Sequence, residues 1–393
     1  MTALPFDDVQ QVLLVLAVLY VVECAWWLRG AGVRLFGAPF AAWSDVPPEV
    51  PEADAWRLAF SNPLPWVAAF SGEPFPFPFA ADSVLIPVVD PRTGNETFRM
   101  LQFGSIERIS TADRQILIDG QIVGHFSSEA FAAVTASRLE RIHSASAEER
   151  AGVADAVLAE MHDVAGAADR LSEWLAATAG VRVCGGLLAI TALGLGPLVW
   201  AFRAALPASV PLGFFAGAVG LWLCTAVLSL SIPSRVLVAG HATLGHRLIA
   251  FLSPATAMRL HDVLGRDVMV RFAPLVIALV NSKGGRADAV ASSHLRAAIH
   301  PTHLPAIDAR DAALGERAAR VLAWFHERTA WHTLQAVKAA GRDPCDLLAV
   351  VAPEPGVRSY CPRCVRTYLQ AEGRCGVCDL PLATLTGDSG AVV

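Results

Sequence analysis

The chain has 393 residues, of which 54% are hydrophobic and only 17% charged, against about 25% charged in an ordinary globular domain. A net charge of −5 and a sequence pI of about 6.1 exclude a global basic field that would attract nucleic acid. The mean hydropathy of +0.46 points to membrane segments beside sizeable polar parts. The positive charge rests on arginine, with Lys283 and Lys338 the only lysines, a bias that suggests a bacterium with a GC-rich genome.

Residues 1–11 form a short tail carrying Asp7 and Asp8. Residues 12–28 (VLLVLAVLYVVECAWWL) hold one acid, Glu23, and end on Trp26, Trp27 and Arg29, the residue types of a membrane interface. The stretch reads as an uncleaved anchor helix. A cleaved signal is the alternative, but acids replace its basic start and no small-residue cleavage site follows. Residues 29–82 are rich in proline and aromatics, including the run EPFPFPF. Proline opposes helix interiors and central strands, so an irregular linker is expected there, with its tryptophans docked on the next domain.

From residue 83 the pattern changes to short β-type runs, and Asp119-Gly120 between two of them is a hairpin signal. With a helix over 129–142, residues 83–145 read as a small α+β domain. Residues 146–181 carry Val153, Val157, Met161, Val164, Ala168, Leu171 and Leu175 at spacings of three and four, the mark of one long amphipathic helix.

Two uncharged runs follow, 183–202 and 210–232. About 20 apolar residues cross a bilayer as a helix, so these are the expected second and third spans, joined as a hairpin by a short connector containing Pro207. Gly213 and Gly217 in the latter allow close helix packing or dimerisation. The apolar run 272–280 has only nine residues and is expected to be a buried or interfacial helix. Residues 235–350 read as mostly helical, punctuated by Pro254, Pro301 and Pro305. Arginines gather at 29, 34, 182, 235 and 247, beside the ends expected to face the cytoplasm. That places the N-terminus outside the inner membrane and both large polar regions, with the C-terminal tail, on the cytoplasmic side.

The tail reads SYCPRCVRTYLQAEGRCGVCDLPL over 359–382. Cys361 and Cys364 make one CxxC, Cys375 and Cys378 another, with ten residues between. Four thiolates suit the tetrahedral shell of Zn²⁺ and leave no open position for chemistry. The few apolar residues around them make the metal a principal source of folding free energy. Iron, or two disulfides, is the alternative use of the same cysteines. CPRC and CGVC resemble the two knuckles of a zinc ribbon, over about 25 residues of the module at 356–386. The resemblance implies a structural zinc site. Such a knuckle usually continues with glycine, where this chain has Val365 and Asp379. As a whole the chain resembles bacterial multi-pass membrane proteins without an assigned activity. A disordered tail is expected over 387–393.

No glycine-rich phosphate loop, Ser/His/Asp arrangement or HExxH pair occurs. The polar candidates at the membrane are Glu23, His241 and His246; farther along, His294, His300 and His303 cluster without metal-ligand spacing. The fold expected is therefore a mainly α-helical membrane protein with a zinc module. The function expected is a non-enzymatic, membrane-anchored scaffold or regulator that binds protein partners. Membrane lipid and a second copy of the chain are further partners. The alternatives are an enzyme or transport accessory built on Glu23, His241 and His246, and a nucleic-acid binder using Arg358, Arg363, Arg366 and Arg374. The acidic balance disfavours the last.

Overall fold

A computed structural model describes residues 34–35, 38–39, 75–89, 96–126, 129–191, 195–202, 205–207, 209–230, 268–281, 285–300, 306–307, 312–349 and 356–385. The anchor expected at 12–28, the helices expected within 235–264, and Glu23, His241, His246 and His303 lie outside them. In chain order the strands are β1 (Arg34–Leu35), β2 (Ala38–Pro39), β3 (Ser83–Val89), β4 (Glu96–Gln102), β5 (Ile109–Ala112), β6 (Gln115–Ile118) and β7 (Gln121–His125). Helices α1 (Glu129–Ser144), α2 (Arg150–Met161), α3 (Val164–Ala177), α4 (Ala179–Ile190), α5 (Gly196–Ala201) and α6 (Ser209–Leu230) follow. Beyond them come α7 (Pro274–Asn281), α8 (Gly285–Ile299), β8 (Ala306–Ile307), α9 (Ala312–Ala339) and α10 (Pro344–Leu348), then β9 (Ser359–Tyr360), β10 (Thr367–Tyr368) and β11 (Ala383–Thr384).

The chain divides into two compact units, each built from two separate stretches: 1–71 with 169–268, and 72–168 with 269–393. In the second unit, β5, β6 and β7 form an antiparallel meander, and β3 pairs antiparallel with β4. The hairpin between β6 and β7 turns at Asp119 and Gly120, both at positive φ (51° and 77°), as a tight two-residue turn requires. Asp119 does more than turn the chain: its Oδ1 accepts from the backbone N–H groups of Glu107 and Arg108 at 2.9 and 2.8 Å. Strand β8 adds to β4 in parallel through Thr97–Ala306 and Phe98–Ile307.

The EPFPFPF run supplies the core. Phe75, Phe77 and Phe79 alternate with prolines, and all three rings are buried. Phe79 packs edge-on against Phe75 and Phe325, with centroids 5.5 and 5.2 Å apart. Around them sit Val84, Ile86 and Ile116 from the strands, Phe103 just past β4, Leu139 and Ile142 from α1, and Val157 and Leu158 from α2. A second apolar cluster joins Leu275 and Leu279 of α7, Ala291 and Leu295 of α8, Val337 of α9 and Leu347 of α10. The short run at 272–280 is accordingly a buried helix.

The stretch 146–181 is not one helix. Helix α2 ends at Met161, and Asp163 begins α3, accepting the Gly166 N–H on Oδ1 at 3.0 Å. A side-chain oxygen that takes the third N–H of a helix is an N-cap. The chain breaks again at Thr178, whose hydroxyl turns back to the Trp174 carbonyl at 2.6 Å.

In the first unit β1 pairs with β2, and α4 packs along α6, where Gly180 lies beside Leu228. Among the described residues no helix is long and apolar enough to cross a membrane. That finding overturns the expected multi-pass membrane protein, its inner-membrane location and its inside–outside topology. The run 183–202 is apolar in sequence but is divided between α4, ending at Ile190, and the six-residue α5, which starts at the Gly196-Pro197 pair. Helix α4 has 12 residues and α5 six. The run 210–232 overlaps α6, Ser209–Leu230, which buries Thr225 and Ala226. Leu187, Ile190, Leu212, Leu223 and Val227 remain exposed on this helix pair. The described structure mixes α with β, setting one two-stranded and three three-stranded sheets beside its helices.

Phe79→Ala tests whether the proline–phenylalanine run is core. It should cost about 3–5 kcal/mol of unfolding free energy in denaturant titration of the full chain. A loss below about 1 kcal/mol would place Phe79 outside the core.

Candidate metal centre

Strand β9 is the middle of a three-stranded sheet: Tyr360 pairs with Thr367 of β10 and with Ala383 of β11. It delivers Cys361 directly into a tight turn. The chain then repeats one plan at an offset of 14 residues, Cys361 to Cys375. In the first turn the Val365 N–H donates to the Cys361 carbonyl (3.0 Å) and the Cys361 N–H to the Arg366 carbonyl (2.9 Å). In the second, Asp379 donates to Cys375 and Cys375 to Leu380, both at 2.8 Å. Val365 and Asp379 therefore hold equivalent places, and both sit at positive φ, 58° and 50°. Glycine is free to take that conformation. The turn is built here without it, at a steric cost of about 1–2 kcal/mol for a side chain in the left-handed region.

The two turns bring Cys361, Cys364, Cys375 and Cys378 together, with their sulfurs all within 4.8 Å of one another. Cys364 is partly exposed and the other three are buried. The group could hold a metal ion such as zinc. A metal–sulfur distance of about 2.3 Å in a tetrahedron sets sulfurs about 3.8 Å apart, and the Cys364 and Cys375 sulfurs stand at 3.7 Å. None of the four is joined in a disulfide.

The thiols of the group differ in their proton affinity. Burial alone would raise the Cys375 thiol, but the Tyr368 hydroxyl donates to its sulfur at 3.1 Å, and backbone N–H groups of Cys378 and Val377 add to this; its pKa falls to about 6. Cys378 is pushed well up, by burial first and then by Cys364 and Cys361. The two shifts run in opposite directions, and a cation at the centre would favour the charged form of both thiols. The cysteines themselves make up the module's core, with Tyr368, Leu380 and Leu382 packed on them. Cys345 stands apart from the group: it is exposed, and its N–H is capped by Asp343 Oδ1 at the start of α10.

A polar cluster that the sequence pattern left unannounced joins α2 to α9. Asp155 Oδ1 accepts from Arg328 Nε at 2.7 Å and from His332 Nε2 at 2.9 Å. The His332 ring stacks on His162 at 5.9 Å between centroids. His162 Nδ1 lies 2.8 Å from the Leu158 carbonyl and its Nε2 lies 3.2 Å from the Thr333 hydroxyl. Burial raises the Asp155 carboxyl, and hydrogen bonds from His332 and Arg328 more than offset this, holding it below the usual carboxylate range. The signal in the sequence was spacing: Asp155 and His162 are seven residues apart, Arg328 and His332 four, so each pair shares a helix face. Both rings are buried, and the bonds Asp155 and Thr333 make in the cluster cross between the two helices. Its chemistry is that of a polar tie between them.

No protein-family model matches this chain, no curated protein matches it, and no solved structure matches it.

Two tests follow from this geometry. Val365→Gly should stabilise the metal-loaded protein by about 1 kcal/mol through release of the strained φ, seen as a higher thermal midpoint; no gain, or an equal gain from Val365→Ala, would refute strain at that residue. Burial, together with the charges of His332 and Arg138, lowers His162 to about 4, although its bond to the Leu158 carbonyl works the other way. The unfolded chain binds that proton near pH 6.5, so stability is complete above pH 6.5 and declines as pH falls toward 4. The loss should be about 3 kcal/mol. His162→Gln should flatten that part of a stability-versus-pH curve, and an unchanged slope would exclude His162 as its source.

Proposed function

We propose that this chain is a non-enzymatic scaffold or regulatory protein, and that its C-terminal module is a zinc ribbon with a structural Zn²⁺ held by Cys361, Cys364, Cys375 and Cys378. The observation that carries the reading is the closed donor set. Four sulfurs within 4.8 Å of one another fill the tetrahedral preference of zinc and leave no position for water or substrate. The ion then contributes folding free energy rather than catalysis.

Protein partners are the ligands this module suits. Val365, Leu369 and Val377 project into solvent, Leu369 with 74% of its surface exposed, on a sheet too small to bury them. Exposed apolar side chains on a metal-rigidified turn bind proteins at little conformational cost. Nucleic acid fits less well. Arg374 is engaged by the Asp379 carboxylate at 2.7 Å, and Arg363 donates to the His300 carbonyl at 3.3 Å, so two of the four module arginines already have partners.

Elemental analysis of the purified full-length chain should find one zinc per chain, lost in Cys361→Ser and Cys378→Ser. Capture from cell extract with the intact protein should then yield partners that both cysteine variants and Leu369→Asp lose. Metal-free protein with a folded tail would sink the zinc reading. Zinc-loaded protein whose captured set is indifferent to all three substitutions would sink the scaffold reading.

A further inference from the structure

Between its two cysteines the first turn carries Pro362 and Arg363, and both reach helix α8. Arg296, on α8, is 4% exposed. Its guanidinium donates to the Pro362 carbonyl at 3.1 Å, to the Leu348 carbonyl at the end of α10, to the Ala349 carbonyl at 3.4 Å and to Ser292 Oγ at 3.2 Å. Ser292 in turn donates to the Leu347 carbonyl. In the other direction Arg363 Nη1 donates to the His300 carbonyl at 3.3 Å, one residue past the end of α8. Helix ends leave carbonyls without internal partners, and Arg363 supplies one. The two residues of the CPRC turn thus form a reciprocal pair of contacts with α8, one accepting and one donating.

A buried guanidinium needs its donors satisfied, and the acceptors named for Arg296 are carbonyls and one hydroxyl. One of those carbonyls, from Pro362, lies inside the turn whose shape the cysteine cluster imposes. Leu295, next to Arg296, and Leu347, next to Leu348, belong to the apolar cluster that joins α7, α8, α9 and α10. The chain that would shape the turn without a metal is short, and its core is the cysteines.

We propose that the first cysteine turn is a metal-dependent clamp on α8 and α10, with Arg296 as its strut and Pro362 and Arg363 as its jaws. The proposal rests on the metal reading above. When the metal leaves, the turn loses its imposed shape, Arg296 loses the Pro362 acceptor, and the end of α8 loses Arg363. Order in α8 and α10 is then coupled to metal occupancy, while α1 and the strands beneath it are not.

Hydrogen–deuterium exchange on the full-length protein tests this, before and after chelation, with zinc content measured on the same samples. Chelation should speed exchange over 285–299 and 344–349 by roughly ten- to a hundredfold, the range for a lost charge-assisted hydrogen bond. Exchange over 129–144 should not change. Arg296→Gln and Arg363→Ala should each retain zinc yet show faster exchange over 285–299 before chelation, with a smaller further increase after it. Should Arg296→Gln fail to fold, Arg363→Ala, which removes a more exposed side chain, carries the same comparison. Zinc stripped with no change over 285–299 and 344–349 overturns the clamp and leaves the metal site standing. Protein that binds no zinc overturns both.

Discussion

The second unit depends on one rod. Helix α9 runs for 28 residues, and three otherwise separate groups meet on it. Near its start Ala318, Val321 and Leu322 cover Leu85 and Phe98 of the β3–β4 pair. In its middle Phe325 enters the phenylalanine core, and Arg328 and His332 hold Asp155 of α2. Farther on Val337 joins the apolar cluster with α7, α8 and α10. A helix used on so many faces must alternate apolar and polar contacts along its length, which is why its buried positions include His332 and Thr333 beside leucine and phenylalanine. The cysteine module touches α8 through Pro362 and Arg363, and α8 packs on the rod.

The two polar devices in this unit solve the same problem in different ways. Asp155 and Arg328 pair opposite charges at a partly exposed rim, and the buried His332 bonds to the same carboxylate. Arg296 is buried with carbonyls instead, which satisfies its hydrogen bonds but gives it no full countercharge. Burial lowers its affinity for the proton, and Tyr360 and Cys361 act against that. The carbonyl arrangement is therefore more sensitive to small displacements of the turn that supplies it.

What could be read from the sequence was local. The Asp119-Gly120 hairpin, the helix from residue 129, the helical character of the region up to residue 350 and the two CxxC turns each declare themselves within a few residues, because turn chemistry and side-chain period are short-range properties. The alternating phenylalanines were legible as aromatic but not as core, since intervening prolines mask a strand-like period. Strand β8 has two residues and pairs with β4, some 200 residues earlier in the chain, so no window could contain both. Hydropathy misled most at 183–202: it sums side chains and does not register that α4 ends at Ile190 and the backbone turns π-helical at Thr191. Asp163 and Thr178 marked the breaks in 146–181, but an apolar stripe that continues in register across a break looks like one helix. At the metal centre the ligands were plain, while Val365 and Asp379 seemed the wrong residues for the turn. Both adopt the conformation the turn needs.

The division of the second unit into two stretches sets an order of events during synthesis. Asp155 and its partner Arg328 are 173 residues apart in the chain, and Phe79 waits longer still for Phe325. At about 5–20 residues per second the ribosome takes on the order of 10–30 seconds to make that interval. For that time β3–β7, α1 and α2 emerge with an uncovered aromatic face. The earlier stretch of this unit is thus the part that must be protected longest, and a chaperone has more to do here than in a unit made from one continuous stretch.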